Sequence, residues 1–290
     1  MKPAAFDYER PNDLAAALEL LSCEEDTRIL AGGQSLVPMM NARLARPKRL
    51  VDINRLPDLD YIRDEGTHVA IGALARHRDV KSSRLVRDHL PVIPAAYEWV
   101  AHAAVRNRGT LCGNLCHADP ASEMPALMLL LGAEMVLTQA SGTRIVAASD
   151  FFLGLYETAA GPGEMLTEVR IPKPARDTGW GFEEVGMRKA DFAWATCAAT
   201  MRLDGGRIAA PAAAVAGVGD RATRLAELEA AIEGQAPSDS LFADVAREVA
   251  VSLDPPSSVG VDAQYRRDLV GTLLPRALAA AARRAEEAKQ

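Results

Sequence analysis

The sequence predicts an α+β protein of two or three modest domains, and three observations carry that reading. Short strand-like runs and helical stretches alternate without a βαβ rhythm, and no repeat of 20 to 50 residues recurs along the chain. Pro172 and Pro174 mark a linker ahead of position 180. Beyond it the rhythm changes to longer paired strands followed by a long amphipathic helix. With 290 residues and 49% hydrophobic content the chain can bury a real core, and at 5% aromatic that core is built mainly from Ala, Leu, Val and Ile.

The elements follow in order. Asn12 or Asp13 can cap a helix over DLAAALELL, which sets Leu14, Leu18 and Leu21 on one face. RIL (28–30) reads as a short buried strand running into Ala31-Gly32-Gly33, MMNARL as one helical turn, and RLVDI (49–53) as a second strand. Leu59, Tyr61, Val69 and Ile71 suggest paired strand faces around the turn Asp64-Glu65-Gly66. A helical region from about Val80 to Val105 is broken near Pro91 and Pro94. NRGTLCGNLCHADP reads as a glycine-bearing loop before a helix over Met124 to Leu131. EMVLTQ and TRIVAA form strands around Ala140-Ser141-Gly142, and MLTEVRI is a further strand. In the last third, two strands meet at Asp204-Gly205-Gly206. Helices are expected from about Ala222 to Ile232, over FADVAREVAV, and from Tyr265 onward, the last with basic residues near its C-terminal end.

The formal charge is -6, from 33 basic and 39 acidic side chains, which argues against a dedicated nucleic-acid binder. No apolar run approaches the roughly 18 residues of a membrane span, and Met1 to Arg10 lacks the apolar stretch of a secretion signal. Cys23, Cys112, Cys116 and Cys197 are too few and scattered for a disulfide framework. A cytoplasmic setting is the expectation.

Two segments can carry chemistry. Ala31-Gly32-Gly33-Gln34-Ser35 follows a short strand, and adjacent glycines let several backbone N–H groups converge on one anion, with a diphosphate as the natural guest. An ordinary Gly-Gly turn would use the same residues, and the spacing is neither G-x-G-x-x-G nor a P-loop. The second segment, Arg106-Asn107-Arg108-Gly109-Thr110-Leu111-Cys112-Gly113-Asn114, is followed by His117, Asp119 and Glu123. Its hydroxyl, amide and carboxylate groups suit a polar heterocycle or a sugar chain, or equally a buried structural loop in which Asn114 caps a turn. Cys112 and Cys116 beside His117 would need at least two more ligands for a closed metal site, so no metal ligand and no catalytic residue is assigned.

AGGQSLVPMMNARLARPKRLVDI and VRNRGTLCGNLCHADPASEMPALMLLLGA together resemble the FAD-binding medium subunits of aerobic carbon monoxide dehydrogenase and the flavin domain of xanthine dehydrogenases. The likeness continues through Gly163-Glu164-Met165-Leu166-Thr167, Arg188 to Ala193 and Tyr265-Arg266-Arg267, and so spans nearly the whole chain. It implies a two-subdomain FAD-binding fold of the PCMH/vanillyl-alcohol-oxidase type, with subdomains at 1–57 and 58–175, and a small α+β C-terminal domain at 176–290. By the same likeness FAD is cradled by Ala31, Gly32, Gly33, Gln34, Ser35 and Leu36 at the diphosphate. Thr110, Leu111, Cys112, Gly113 and Asn114 line its second side, with Asp119 in an A-D-P segment. Glu123 stands where relatives usually place an Asp that helps hold the nucleotide.

The resemblance further implies an electron-transfer role inside a molybdenum hydroxylase. A large subunit would carry the molybdenum-pterin cofactor, and a small iron–sulfur subunit two [2Fe-2S] clusters that feed FAD on this chain. FAD would pass the electrons to an external acceptor, in a dimer of heterotrimers. A stand-alone flavin oxidoreductase, or a scaffold or maturation protein that has lost FAD, are the competing readings. Three departures stand out. Cys112 replaces the first glycine of a T-x-G-G motif and is expected to take negative φ with its thiol packed away, in preference to a redox thiol or a disulfide with Cys116. Glu123 is one methylene longer than Asp. Phe182-Glu183-Glu184 lacks the Lys that relatives commonly carry there, and Arg188 or Lys189 is the expected source of the missing charge.

Overall fold

The computed structural model describes residues 1–23, 26–258 and 260–289. The first helix, Leu14–Ser22, begins where Asp13 accepts a hydrogen bond from the Ala16 N–H at 2.8 Å, and it buries Ala17, Leu18 and Leu21. It packs on a parallel three-stranded sheet in the order Asp7–Glu9, Arg49–Asp52, Thr27–Leu30. The turn expected over MMNARL starts earlier, as the helix Leu36–Asn41. Pro38 fits its first turn, where a missing N–H costs nothing.

A five-stranded antiparallel sheet forms the middle of the molecule, in the order Ile62–Asp64, His68–Gly72, Met165–Pro172, Glu134–Gln139, Gly142–Ala147. Met165–Pro172 is therefore its central strand, and Pro172 pairs with His68 at its end instead of starting a linker. The helical region resolves into His77–Ser82, Arg84–His89, Val92–Ala96 and Ala103–Arg106. These pack with Glu123–Leu130, whose eight residues are all buried, over one apolar core that includes Ile71, Tyr97, Leu111, Leu127 and Val169.

The third sheet is antiparallel, in the order Gly179–Gly186, Ala193–Asp204, Arg207–Ala216, Thr223–Arg224. Two of its strands were not expected. WGFEEVG conceals its strand because glycines interrupt the apolar pattern, and Thr223–Arg224 displaces the start of the next helix to Ala226–Ile232. The sheet is buried on both faces. Ala195, Cys197, Ala199, Ala213 and Val215 face the helices Asp239–Ser252 and Ala263–Glu287. Ala198, Ala214 and Ala216, with Trp180 and Phe182, face the core of the helices that pack with the five-stranded sheet. Glycine is required on the first face: a Cβ at Gly181 would lie 2.8 Å from Ala277 Cα, and one at Gly179 2.9 Å from Ala285 Cβ.

Candidate functional site

The strand Thr27–Leu30 delivers the chain into Ala31-Gly32-Gly33, where Gly33 takes φ +70°, a conformation that glycine adopts without strain. Gly32 lies against the backbone of the other segment. A Cβ there would sit 2.5 Å from the Arg108 carbonyl oxygen and 2.6 Å from Gly109 Cα. Two segments more than seventy residues apart in sequence are thus in main-chain contact. Among the described residues, the N–H groups of Gly33, Gln34 and Ser35 donate to no other group of the chain, while the Gly33 and Ser35 carbonyls accept from Val37 and Met39. Gln34 bonds back to the Gly32 carbonyl at 3.2 Å. A run of free donors beside a tight turn suits the oxygens of a diphosphate.

A polar tie holds the two segments in register, and sequence reading missed the side chains that make it, Tyr8, Asp52, Asn54 and Arg76. Asn54 Nδ2 donates to the Ala31 carbonyl at 2.8 Å and to Asp52 Oδ1 at 2.6 Å, and Asn54 Oδ1 accepts from Arg76 at 2.7 Å. The same Arg76 guanidinium donates to the Arg108 carbonyl. Asp52 also accepts from the Tyr8 hydroxyl. Burial pushes the Asp52 carboxyl upward, but the bonds from Tyr8 and Asn54 outweigh it and hold the group below its ordinary range. Polar residues scattered over two strand ends and two connections give no local pattern, so no motif could have disclosed this tie.

The segment expected as a loop is a helix, Leu111–His117, capped by the Thr110 side chain, which accepts from the Gly113 N–H at 3.1 Å. Its start is braced by backbone bonds from Leu111 to the Ala75 carbonyl and from His77 to the Gly109 carbonyl. Leu111, Cys112 and Leu115 turn into the core, whereas Gly113 and Asn114 remain on the outer face. Cys112 is 2% exposed and its φ is not positive. Its thiol approaches the Ile71 carbonyl at 3.9 Å. Burial pushes that thiol well above its ordinary value, the reverse of a reactive thiolate, and all four cysteines are free. The expected packing role is what the geometry shows. Among the described residues no group of three His, Cys, Asp or Glu is placed to hold a metal.

Asn114 exchanges hydrogen bonds with Ser122, at 2.9 and 3.1 Å, and so fastens the helix to the loop after it. Asp119 accepts from the Ala121 N–H at 2.9 Å and from the Tyr156 hydroxyl at 3.4 Å. Glu123 points inward, 6% exposed, near the buried Tyr97, whose hydroxyl bonds His77 Nδ1 at 2.9 Å. Burial, and secondarily the charge of Arg106, push His77 down to about 4 and keep it neutral. The expected help from Arg188 or Lys189 does not reach Glu184. Arg188 pairs with Asp191 at 3.0 Å, and Lys189 stands 5.7 Å from the Trp99 ring centre and 3.9 Å from Glu98. The loop between the two strands carries both cations outward, away from the sheet.

The fold and these segments define a PCMH-type FAD-binding protein. Residues 4–174 match the FAD binding domain in molybdopterin dehydrogenase, and residues 180–281 match the CO dehydrogenase flavoprotein C-terminal domain. The chain is 38% identical to the caffeine dehydrogenase subunit beta of a Pseudomonas species, over 98% of this chain and 97% of that one. It is also 38% identical to the carbon monoxide dehydrogenase medium chain of Afipia carboxidovorans, over 99% and 100% of the two chains. Carbon monoxide dehydrogenase from Hydrogenophaga pseudoflava superimposes with a TM-score of 0.95 at 38% identity, covering 98% of this chain and 99% of that one. Quinoline 2-oxidoreductase from Pseudomonas putida gives 0.94 at 37%, with the same coverage. The chain belongs to the family of FAD-binding medium subunits of the carbon monoxide dehydrogenase/xanthine dehydrogenase type, the electron-transfer flavoproteins of molybdenum hydroxylase complexes.

Proposed function

We propose that this chain holds FAD noncovalently between the Gly32–Leu36 turn and the Thr110–Asn114 helix start, and relays electrons within a three-subunit molybdenum hydroxylase. The observation that carries the placement is the main-chain contact of Gly32 with Arg108 and Gly109, which makes one cradle of the two segments. The free N–H groups of Gly33, Gln34 and Ser35 would take the diphosphate, and the N-terminal end of helix Leu111–His117 would face the second side. FAD, when bound, supplies the redox chemistry, while the protein supplies position and electrostatics. Two candidate attachment residues are sequestered: Cys112 is buried against Ile71 and His77 is bonded to Tyr97.

In this reading electrons arrive from two [2Fe-2S] clusters on a small subunit, fed by a molybdenum-pterin cofactor on a large subunit, and leave to an external acceptor. Relatives are named for caffeine, carbon monoxide and glyceraldehyde dehydrogenases, so substrate choice belongs to the partner that carries molybdenum. Denaturing the purified protein in acid should release all flavin as FAD. Flavin left on the precipitate would refute noncovalent binding, and FMN would refute the dinucleotide. Coexpression with a molybdenum-cofactor subunit and an iron–sulfur subunit should give a dimer of heterotrimers. Turnover of an organic substrate by the isolated chain would refute the relay.

A further inference from the structure

Glu123 and Glu184 are both buried carboxylic acids, 6% and 4% exposed, one at the start of a helix of the FAD-binding part and one on the C-terminal sheet, and the charge of Glu123 acts on Glu184. Strand pairing fixes the placement. Glu184 is in register with Thr196, and Thr196 with Ala216. Phe182 pairs with Ala198 one step along the same strands, and both face the FAD-side core. The period of two puts Glu184 and Thr196 on that face as well. At the end of this row the Gly217 N–H donates to the Pro120 carbonyl at 2.7 Å, three residues before Glu123. The helix that begins at Glu123 then runs across these strands, packed on Ala214 and Ala216.

Among the described residues no cation balances the pair. The groups acting on Glu123 are its own backbone N–H and the like charge of Asp119, and those acting on Glu184 are Glu123 and the Thr196 hydroxyl, which donates at 2.9 Å. Tyr97 feels the charge of Glu123, and behind it stand His77, which bonds its hydroxyl, and Cys112; burial keeps His77 neutral and Cys112 a thiol. Arg106 acts on Tyr97 and His77 and on neither carboxyl. Two carboxylates in one buried, cation-free site cannot both ionise cheaply.

We propose that Glu123 and Glu184 form a proton-holding carboxyl pair that seals the C-terminal sheet onto the FAD-binding part, and that the seal weakens as the pair loses its protons. Burial is the first cause at both groups, pushing Glu123 up to about 7 and Glu184 up to about 9. The native state then retains protons that the unfolded chain has released. Stability contributed by the pair is complete below the ordinary carboxylate value of 4.5. It declines as pH rises, through about 7 for Glu123 and about 9 for Glu184. The unfolding equilibrium shifts about tenfold per pH unit for each proton retained.

The test uses the full-length protein and Glu184→Gln, which keeps an acceptor for Thr196 and cannot ionise. Infrared spectra at neutral pH should show a protonated-carboxyl C=O band that titrates away on the alkaline side and is weakened in the variant. The melting temperature of the wild type should fall from about pH 6 to about pH 9 more steeply than that of Glu184→Gln, whose curve lies above it at the alkaline end. Equal slopes, or an alkaline melting temperature lower in the variant, would overturn the proposal. Should the variant fail to fold, the wild-type spectrum still decides the matter, because absence of a protonated-carboxyl band at neutral pH refutes the pair.

Discussion

Gly32 and Gly33 are adjacent and constrained for different reasons, and substitutions should separate them. Gly33 needs positive φ, and a Cβ there would also meet Leu30 Cδ1 at 3.1 Å and Val37 Cγ2 at 3.3 Å. Gly33→Val should therefore strain the turn and empty the flavin site, measured as the ratio of flavin to protein absorbance; normal flavin content in a folded variant would refute the placement. Gly32→Ala drives a methyl into the Arg108–Gly109 main chain, which cannot step aside as a side chain could. Its expected effect is to part the two segments, with flavin loss at least as severe. Cys112→Ala removes one buried sulfur and should cost about 1 kcal/mol in denaturant unfolding, with flavin retained. Cys112→Gly adds the helix penalty of about 1 kcal/mol. A variant with intact fold and flavin but no flavin reoxidation would give the thiol a chemical part. The tight turn at Gly32-Gly33 was legible in the sequence because adjacent glycines after a strand mark one, whereas its use for a cofactor came from the family resemblance. Asn54 and Arg76 were not, since a long-range tie leaves no mark on its local neighbours.

Among the elements, the ones that sequence disclosed carry a clean period, and the ones it hid are buried on both sides or rich in glycine. Leu14–Ser22 announces itself with Asp13 and three leucines, whereas Leu111–His117 looks like a loop because Gly113 and Asn114 are poor helix formers. Its helix is imposed by the Thr110 cap and by burial of Leu111, Cys112 and Leu115. Gly179–Gly186 was missed because its glycines do not read as apolar, yet they serve the packing as apolar residues would. Gly181→Ala should force the Ala263–Glu287 helix off the sheet, costing about 1–3 kcal/mol or more. The check is urea denaturation with the flavin signal followed in parallel. Stability within a few tenths of a kcal/mol of wild type would show that the helix can shift. Asn54→Ala breaks the tie between Asp52, Ala31 and Arg76, and should weaken flavin binding while leaving the secondary structure unchanged in circular dichroism. The hydrogen bond it removes from a charged guanidinium is worth about 1.5–3 kcal/mol.

At the scale of the molecule, three sheets converge on one region from both sides. The parallel sheet supplies the glycine turn, the five-stranded sheet backs the helix that starts at Leu111, and the C-terminal sheet closes on Glu123–Leu130. The last sheet is itself completed by the Ala263–Glu287 helix, which buries Leu269, Val270, Leu273, Leu274, Ala277 and Leu278. A chain ending before Ala263 would expose the opposite face of that sheet. It should be recovered insoluble, or soluble without flavin and with a lowered melting temperature; a soluble, flavin-loaded truncation would refute this dependence. The division into FAD-side and C-terminal parts was legible from the change of rhythm after Pro174. How the parts meet was not, because the seam is made of alanines and two acids that no periodicity singles out.

The contact between Gly32 and Gly109 also sets an order of events during synthesis. At the ribosome the glycine turn emerges long before its counterpart, and through that interval its free N–H groups have only water as company. With the flavin in the proposed cradle, it can be captured only after the chain through His117 has left the exit tunnel and the two segments have found each other. On that placement loading is a late step of biogenesis, and an amino-terminal fragment released early by a stalled ribosome would be colourless.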